Sequence, residues 1–393
     1  MIIGIDASRA NRAQKTGVEW YSHHLLKKMM EFPISNFSTK GGYASGGQFP
    51  IFFVLYADRP LTGDLAVLPR GWSAKVLRWP FGRLWTQVRL SWEMLVHPPD
   101  VLFIPSHVAP LIHPKKTVVT VHDICASQFP GSYSRFQRWY TLWSARYAVK
   151  HLWKVVVPSE YTKKEVLKLE IRNKKLEEIC VIPHGYDTRY REIKDTEEIE
   201  EKLKKYNIHK PFILSVGRVE EKKNTLRSIK AFELLKQKKN LQSLIANLQF
   251  VLVGQPGHGY EKVRAAIDQS PFKKDIIELG WISSEDLPYL MNAAEALVFP
   301  SLCEGFGMPI LEAFACGTPV VASRGSVFQE VGGDAILSVD PLDEKDIARV
   351  IEKILADQSL RQEKIRLGFE RVKQFSWERC ARETVEVFMK HVT

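Results

Sequence analysis

The strongest constraint on how this chain folds is a rhythm of short, β-rich apolar runs that alternate with helical stretches. This rhythm is typical of a parallel sheet covered by helices. The runs in the first half are Ile2 to Asp6, Ile51 to Tyr56, Val101 to Ile104, Thr117 to Val121, Lys154 to Val157 and Glu178 to Ile182. Those in the second half are Phe212 to Val216, Phe250 to Val253, Ile276 to Leu279, Ala296 to Phe299, Pro319 to Ala322 and Ala335 to Val339. We therefore predict an α/β fold with doubly wound parallel sheets.

A charged segment separates the two sets of runs and gives our predicted domain boundary. Between Asp187 and Lys205 few side chains are apolar enough to enter a core. At 393 residues the chain is also too long for one ordinary core. We predict two Rossmann-like domains, residues 1–187 and 188–375. Residues 376–393 follow as a terminal helix, with Ser376 as a suitable N-cap.

Composition narrows the classes of protein that remain. No run reaches the roughly eighteen consecutive apolar residues of a membrane-spanning helix. The start of the chain, Met1 to Asp6, lacks the basic region of a secretion signal, so we expect a cytoplasmic protein. The net charge of +11 favours anionic partners such as nucleotides, nucleic acid or acidic lipids. Because no compact nucleic-acid recognition motif accompanies this charge, nucleic acid is not an expected partner.

The cysteines of this chain show no paired spacing. Disulfide frameworks and zinc sites both place cysteines at recurring short spacings. We therefore expect reduced, mostly buried thiols. The cysteines are Cys125, Cys180, Cys303, Cys316 and Cys380.

The segment from Glu304 to Glu312 carries the pattern most typical of a ligand site. Gly305 and Gly307 admit backbone conformations that other residues resist, and Pro309 suits the first turn of a helix. The segment is therefore predicted to be a loop that enters a helix N-terminus, an end that attracts anions. Glu304 then lies in the loop and Glu312 about one turn inside the helix, so both carboxylates can reach one bound molecule.

A second candidate site follows the run Phe212 to Val216. The next loop carries Arg218 and Lys223. An arginine fork and a lysine point charge together can neutralise a diphosphate without a metal ion. The alternative interpretation is a solvated helix start without a ligand.

In the first half of the chain, His122 and Asp123 end a buried run, where functional polar residues are expected. The alternative is a structural histidine, with Asp123 capping the next turn. Gly17 lies after the first run and belongs either to the same site or to a plain strand-to-helix turn. The chain contains no Asp-x-Asp pair and no histidines at zinc spacing, so a metal-dependent transfer is not expected.

These segments resemble glycosyltransferase family 4, whose members are retaining nucleotide-sugar transferases of GT-B architecture, and the resemblance covers nearly the whole chain. Glu304 to Glu312 is similar to the family's two glutamates separated by seven residues. Four more segments match in the family's order: Gly217 to Asn224, Thr120 to Asp123, Val157 to Ser159 and Ile182 to Asp187. The family commonly has Asn where this chain has His184 and a small apolar residue where it has Tyr186. These differences leave the identity of the sugar open.

The resemblance implies a role for each candidate residue in the second half. Arg218 and Lys223 would bind the donor diphosphate, and Glu312 would bind the ribose hydroxyls. Glu304 would face the transferred sugar. The helix that begins near Met308 would point its positive end at the diphosphate and stabilise the departing nucleotide.

Further residues are assigned by the same resemblance. The backbone amides of Gly305, Phe306 and Gly307 would also face the sugar. His122 would lie near the sugar across a cleft between the two domains. Gly17 would let the first loop approach the phosphates and the acceptor closely. The resemblance also implies that the terminal helix, residues 376–393, crosses back to the first domain.

The implied activity is retaining, metal-independent transfer of a hexose to a glycan or lipid-linked acceptor for the cell surface. Our preferred donor is GDP-mannose, from which mannose is transferred. The resemblance implies that the base of the donor stacks near Trp281. It implies no cofactor besides this co-substrate. For retention we favour same-face attack through an ion-pair-like intermediate over double displacement. The alternatives are a UDP-sugar donor and a GT-B sugar-nucleotide epimerase. A nicotinamide-dependent dehydrogenase would need a G-x-G-x-x-G turn, whereas the first run leads into Asp6 to Arg9.

Aromatic residues are mixed with cations in two parts of the first half. Such a mixture suits peripheral contact with the inner face of a membrane that holds a lipid-linked acceptor. The alternative is that these aromatics belong to the core. The residues are Trp72, Lys75, Arg78, Trp79, Phe81, Arg83, Trp85, Arg89 and Trp92, followed by Arg135, Phe136, Arg138, Trp139, Trp143 and Arg146.

Overall fold

Two compact units make up the computed structural model, which describes residues 1–32, 51–81, 84–106, 108–169, 178–238 and 245–389. The first unit contains Met1–Ile124, Phe136–Gly185 and the chain from Ser376 onward. The second contains Cys125–Arg135 and Tyr186–Phe375. The chain therefore passes between the units more than once, and a short segment from the middle of the first half belongs to the second unit.

A parallel sheet of seven strands forms the centre of the first unit, with the order β3-β2-β1-β4-β5-β6-β7. Its inner strands are buried, as expected where helices cover both faces. The strands are β1 (Ile2–Asp6), β2 (Phe52–Ala57), β3 (Trp72–Val76), β4 (Val101–Ile104), β5 (Thr117–Thr120), β6 (Lys154–Val157) and β7 (Ile179–Val181).

The second unit repeats this plan with a parallel sheet of six strands in the order β10-β9-β8-β11-β12-β13. Its core includes Phe232 and Phe250, whose rings lie 5.7 Å apart. The strands are β8 (Phe212–Val216), β9 (Gln249–Val253), β10 (Ile276–Gly280), β11 (Ala296–Phe299), β12 (Val320–Ser323) and β13 (Ile336–Val339). The two sheets confirm the predicted α/β class.

Helices connect the strands of both sheets. Those that begin in the first half of the chain are α1 (Gly17–Glu31), α2 (Ser91–Val96), α3 (Cys125–Gln128), α4 (Arg135–His151), α5 (Glu160–Leu167) and α6 (Thr196–Lys205). Those that begin in the second half are α7 (Thr225–Lys236), α8 (Tyr260–Gln269), α9 (Leu287–Ala293), α10 (Met308–Ala315), α11 (Val327–Gly332), α12 (Glu344–Ala356), α13 (Gln358–Val372) and α14 (Trp377–Met389). No helix of the described ranges has the length and apolar character to cross a bilayer.

Strand β3 was not among the predicted runs, because its sequence alternates polar and apolar residues. Trp72 at its start is buried and stacks on Phe53 of β2, with ring centroids 4.2 Å apart. The rest of β3 is exposed at the edge of the sheet. An edge strand has only one neighbouring strand, so it does not need the continuous apolar sequence of a central strand.

The last helix, α14, packs on α1 in the first unit. Lys28 of α1 and Glu378 of α14 form an ion pair at 2.7 Å. Directly before Glu378, the backbone of Ser376 and Trp377 runs against Gly185, where a Cβ would lie 2.2 Å from the Trp377 nitrogen. Only glycine permits so close an approach of two backbones.

Candidate functional site

The two central strands of the second sheet form a topological switch point. β8 and β11 are neighbours, but the chain continues from β8 to β9 on one side and from β11 to β12 on the other. The loops that follow these two strands therefore diverge and leave a crevice at the carboxyl edge of the sheet, where open α/β sheets bind ligands. Arg218 and Lys223 follow β8, and Glu304 follows β11.

The loop after β8 is shaped by two residues with positive φ. Gly217 adopts φ 131°, and the Cε atom of Lys223 lies 3.3 Å from the position of a Cβ there. Asn224 adopts φ 61° at the end of the loop. Its amide nitrogen donates to the carbonyl of Pro300 at 3.0 Å and to that of Pro341 at 2.6 Å. Asn224 therefore fastens this loop to the start of the loop after β11.

Lys223 and Glu304 form an ion pair between these two loops. Lys223 Nζ donates to Glu304 Oε1, and the hydroxyl of Ser301 donates to the same oxygen at 2.8 Å. Lys223 Nζ also lies 5.1 Å from the centre of the Phe299 ring, within range of a cation–π interaction. Only 18% of the lysine side chain and 15% of the glutamate side chain are exposed. The crevice thus holds one cation and one carboxylate in a fixed, largely dehydrated arrangement.

Arg218 lies in the same loop but is exposed to solvent. In the part of the chain that the structure describes, it forms no ion pair with Glu304. Its neighbour Val219 is buried and forms a backbone bridge with Pro256. The backbone at Arg218 is therefore fixed on one side, while the guanidinium remains accessible to a ligand.

Helix α10 begins at Met308, where the sequence predicts it, and Pro309 lies in its first turn. Gly307 precedes the helix with φ 94°, and a Cβ there would lie 3.1 Å from the Phe328 ring. Just before it, the Phe306 ring packs at 5.8 Å from that of Phe375. Gly305 is buried beside it. Pro309 has no amide hydrogen and the Ile310 N–H donates to the Gly307 carbonyl at 3.0 Å, and this N-terminus carries the positive end of the helix dipole.

Glu312 lies one turn into α10, with its carboxyl packed among protein atoms. Burial raises the pKa of Glu312 to about 8; the Asp187 carboxylate also raises it, and the Arg189 guanidinium lowers it. Arg189 Nε donates to Asp187 Oδ2 at 2.7 Å, so these two charges partly cancel at Glu312. A carboxyl whose pKa lies near neutrality can lose its proton when a hydrogen-bond donor approaches it.

His122 lies in the first unit, two residues beyond β5, and is buried. Its Nε2–H donates to the carbonyl of Pro105 at 3.0 Å, which fixes the ring tautomer. The Tyr21 ring packs edge-on at 4.6 Å, and the His184 ring lies 5.6 Å away. Burial, with the neighbouring His122, holds the pKa of His184 well below its usual range. His122 therefore belongs to a packed cluster that fixes its orientation.

Gly17 is the first residue of α1 and is exposed. Thr16 is the N-cap, and the Glu19 carboxylate accepts the Thr16 backbone N–H at 3.1 Å. The loop after β1 thus ends in a capping box at the start of α1.

Comparison with known proteins identifies the family. The sequence model described as Glycosyl transferases group 1 matches residues 195–370, and that described as Glycosyltransferase Family 4 matches residues 52–190. The O-antigen chain mannosyltransferase B of Escherichia coli is 30% identical over 275 residues, which cover 70% of each chain. The chain belongs to glycosyltransferase family 4.

Solved structures confirm the predicted GT-B fold for this glycosyltransferase. Sucrose-phosphate synthase of Thermosynechococcus elongatus has a TM-score of 0.73 at 18% identity, covering 99% of this chain and 98% of that one. Anabaena HepE in complex with UDP and glucose has a TM-score of 0.70 at 16% identity, covering 99% of both chains. At these identities the similarity shows the fold alone.

Trp281 of the glycosyltransferase follows β10, the edge strand of the second sheet. Gly280 before it adopts φ 65°, and 51% of Trp281 is exposed. Strand β9 lies between β10 and β8. Trp281 therefore lies on the β9 side of the switch point, at the edge of the sheet.

The expectation of reduced cysteines is wrong for one pair. Cys125 and Cys303 form a disulfide, with Cα atoms 5.8 Å apart. They are 178 residues apart in sequence. The spacing of the cysteines does not predict this bond, because Cys125 of the segment 125–135 reaches the loop after β11 only in the folded protein. Cys316 and Cys380 are buried, as expected.

The aromatic and basic residues predicted to meet a membrane divide between core and surface. Trp72 is in the core, and the Trp85 ring nitrogen donates to the carbonyl of Leu77 at 2.8 Å. Arg83 lies outside the described residues. The exposed apolar side chains include Phe81, Leu84, Val88, Trp92, Phe136 and Trp139. A cavity of about 390 Å³ is lined by Trp79, Gln87, Val88, Arg89, Ser91, Trp92 and Ile112.

Ser301 and the pair Asp187 and Arg189 are site residues that the sequence did not single out. Ser301 holds Glu304, and the pair faces Glu312. Asp187 stood at the end of a segment similar to the family pattern, which was the available signal. Ser301 carried no signal, because its role depends on the fold of two separate loops.

Proposed function

We propose that this glycosyltransferase is a retaining, metal-independent mannosyltransferase that transfers mannose from GDP-mannose to a glycan or lipid-linked acceptor in cell-surface polysaccharide synthesis. The Lys223–Glu304 ion pair at the switch point of the second sheet is the main support for this proposal. The Escherichia coli relative at 30% identity is a mannosyltransferase of O-antigen chains, which supports mannose as the sugar.

The charges at the crevice suit a nucleoside diphosphate. In the proposed complex Lys223 turns from Glu304 toward the diphosphate, and the exposed Arg218 binds it from the same loop. The first amides of α10 add the positive end of a helix dipole. As the bond to the sugar breaks, negative charge grows on the leaving phosphate, and these three groups stabilise it. They take the place that a divalent metal has in other transferases.

Glu312 is proposed to hold the ribose. Two ribose hydroxyls can donate to one ionised carboxylate, so ribose binding favours the ionised form. With a pKa of about 8, Glu312 is mostly protonated at pH 7 before the donor arrives. Donor binding at pH 7 is therefore expected to release close to one proton from the wild type and none from Glu312→Gln. Titration calorimetry in two buffers of different ionisation enthalpy measures this difference.

Glu304 is proposed to contact the sugar that is transferred. Glu304 and the amides of Gly305, Phe306 and Gly307 bind the sugar hydroxyls. From the family resemblance, His122 is proposed to contact the sugar, and the loop at Gly17 the phosphates and the acceptor. The bond from the anomeric carbon to the phosphate breaks, and the acceptor hydroxyl forms the new bond on the same face. The acceptor proton passes to the leaving phosphate. A covalent sugar adduct on a carboxylate, detected by mass spectrometry, would instead indicate double displacement.

A melting-temperature screen with nucleotide sugars tests the donor. A ligand that binds only the folded state raises the melting temperature by mass action. GDP-mannose with EDTA present is expected to raise it, and omission of the chelator should make no difference. A shift with UDP-glucose and none with GDP-mannose would contradict the choice of donor.

A UDP-sugar donor is the second candidate. The fold neighbour HepE was solved with UDP and glucose, which supports this alternative at the level of the fold. Base preference is proposed to depend on the contact near Trp281. A sugar-nucleotide epimerase would change the donor with no acceptor present, so analysis of the sugar after incubation with donor alone separates epimerase from transferase.

A lipid-linked acceptor would bring the first unit to the inner face of a membrane. The exposed Phe136 and Trp139 stand on α4 among arginines, the composition of a peripheral membrane contact. Flotation with anionic vesicles at low salt is expected to carry the protein upward. Failure to float under these conditions would remove membrane contact from the proposal but leave the transfer reaction untouched.

A further inference from the structure

The disulfide lies beside the ion pair of the candidate donor site. Cys303 directly precedes Glu304, and the Ser301 hydroxyl that holds Glu304 lies within the same short loop. On the far side of Glu304, Gly305 is buried and the Phe306 ring packs 5.8 Å from that of Phe375, so noncovalent contacts hold the loop there. The bond to Cys125 is a covalent restraint on this loop one residue from the carboxylate.

Cys125 begins a segment that touches both site loops of the second unit. At the other end of the segment, Lys222 Nζ donates to the Tyr133 hydroxyl at 3.4 Å and lies 5.6 Å from the centre of the Tyr133 ring. Lys222 is the neighbour of Lys223, as Cys303 is the neighbour of Glu304. The segment 125–135 therefore spans the two loops whose side chains form the ion pair, with a noncovalent contact at one end and a covalent one at the other.

We propose that Cys125 and Cys303 form a reversible thiol–disulfide site, and that its oxidised state keeps the Glu304 loop ordered for donor binding. The reductant is a dithiol. One of its thiolates attacks a sulfur of the bond and forms a mixed disulfide, and its second thiol resolves it. The two cysteines take up two electrons and two protons in total and become thiols, while the dithiol is oxidised to a disulfide.

Burial of the Cys125–Cys303 disulfide limits the rate at which a dithiol can reduce it. Cys125 is fully buried, and Cys303 is 3% exposed. A thiolate can reach the bond only when the segment or the loop opens locally. A nucleotide that contacts the Glu304 loop should oppose this opening, so bound donor is expected to slow reduction.

The first measurement counts the thiols. Of the five cysteines, two form the disulfide, so three should be alkylated in the denatured, unreduced protein and five after dithiothreitol. Peptide mass spectrometry assigns the difference to Cys125 and Cys303. If both remain alkylatable after equilibration with oxidised glutathione, the proposal is wrong.

The second measurement is hydrogen exchange of the full-length protein in both redox states, which requires no donor. Because ordering the backbone of a single residue corresponds to roughly a tenfold change in an equilibrium constant, reduction is expected to speed exchange at Glu304 to Phe306 by about tenfold or more. Strand β11 should be unaffected. Equal exchange of this loop in the two states would overturn the proposal.

Variants provide the matched controls. Cys303→Ser and Cys125→Ser should show the fast exchange of the reduced protein and no further response to dithiothreitol. Cys180→Ser, on β7 of the first unit, should respond as the wild type does. A response to dithiothreitol that persists in Cys303→Ser would also overturn the proposal, because another group would then be its cause.

A third measurement, of nucleotide affinity in the two redox states, rests on the proposed function. If the loop binds the donor, affinity for GDP or UDP should fall by about tenfold on reduction, the factor expected for the ordering of one residue, and reoxidation should restore it. If neither nucleotide binds in either state while loop exchange still responds, the proposed function fails and the thiol–disulfide site stands.

Discussion

The Lys223–Glu304 ion pair is stable only because each charge has a partner that compensates the free-energy cost of its dehydration. Two charges with so little exposure lose most of their hydration and rely on each other and on Ser301. Removing one partner of a largely buried pair leaves the other uncompensated, which typically costs about 3–5 kcal/mol. An anionic ligand with hydroxyl groups can supply new partners to both side chains at once. The two charges of the pair therefore compensate each other when the site is empty and can exchange contacts when a donor binds.

Glu304→Gln tests the catalytic part of this arrangement. The amide keeps the size of the side chain but removes its charge, so the sugar loses a charged acceptor while the diphosphate contacts remain. Loss of one preorganised electrostatic group typically lowers kcat by about 100-fold or more, and the same is expected here in a steady-state transfer assay. Glu370→Gln, which breaks the exposed pair with Lys373, should retain full turnover. Equal turnover in the two variants would show that Glu304 does not take part.

Glu312 predicts a pH dependence of stability. Its pKa is about 8 in the folded chain against an ordinary 4.5. Between these pH values the folded state holds a proton that the unfolded state has lost. The contribution of this proton to the free energy of unfolding is therefore complete below pH 4.5 and disappears as pH rises through 8. Each unit of pKa difference is worth at most about 1.4 kcal/mol. Urea unfolding at pH 5 and pH 9 should therefore show a larger loss for the wild type than for Glu312→Gln; equal losses would contradict the burial of the carboxyl.

At the scale of elements, two loops meet at glycines on the carboxyl edge of the second sheet. A Cβ on Gly254 after β9 would lie 1.9 Å from the carbonyl oxygen of Gly217 after β8. Gly254 also adopts φ 149°, and its N–H donates to the carbonyl of Gly280 at 2.8 Å. The backbones after β8, β9 and β10 therefore lie in direct contact. The course of the Arg218 loop is fixed by this contact.

Gly254→Ala is expected to disrupt this edge of the sheet. The added methyl cannot fit against the Gly217 carbonyl, so the loop after β8 must shift. Gly325→Ala is the matched control, because Gly325 also has positive φ (75°) but no atom within 4 Å of its Cβ position. Strain alone costs about 1–2 kcal/mol, so urea unfolding should show a loss of that size in the control and a clearly larger loss in Gly254→Ala. Equal losses would contradict the contact.

The sequence predicts those elements whose pattern is local. The apolar runs are central strands because burial on both faces demands continuous apolar residues, and α10 is signalled by Gly307 and Pro309 at its start. Strand β3 escapes prediction because an edge strand tolerates polar residues. The disulfide escapes because its two cysteines meet only after the segment 125–135 joins the second unit. The role of Asn224 escapes prediction because its partners lie on other loops. Ser301 contacts Glu304 in its own loop, but its hydroxyl also donates to the Lys222 carbonyl of the loop after β8, which only the fold brings near.

At the scale of the whole molecule, the chain ends by completing the unit in which it began. The Trp377 ring is buried in the first unit and packs near the rings of Tyr21, His24 and His184. His184 also neighbours His122. The packing around a residue proposed to face the sugar thus depends on the last helix of the chain.

Trp377→Ala is therefore expected to destabilise the first unit selectively. Truncating a large buried aromatic side chain typically costs about 3–5 kcal/mol. Differential scanning calorimetry should show the transition of the first unit at a lower temperature, with that of the second unit little changed. Trp139→Ala, on an exposed face of α4, should stay within about 0.5 kcal/mol of the wild type. A downward shift of the second unit alone would contradict this assignment of the helix.

Calorimetric titration of GDP-mannose into two lysine variants shows whether the switch point of the second sheet binds the donor. Lys223→Ala removes a charge-assisted contact to the diphosphate, whereas Lys230→Ala removes an exposed lysine of the following helix, α7. Lys223→Ala is expected to weaken binding by about tenfold or more, the effect of losing one such contact, whereas Lys230→Ala should bind as the wild type does. Equal affinity of Lys223→Ala and the wild type for GDP-mannose would contradict this expectation.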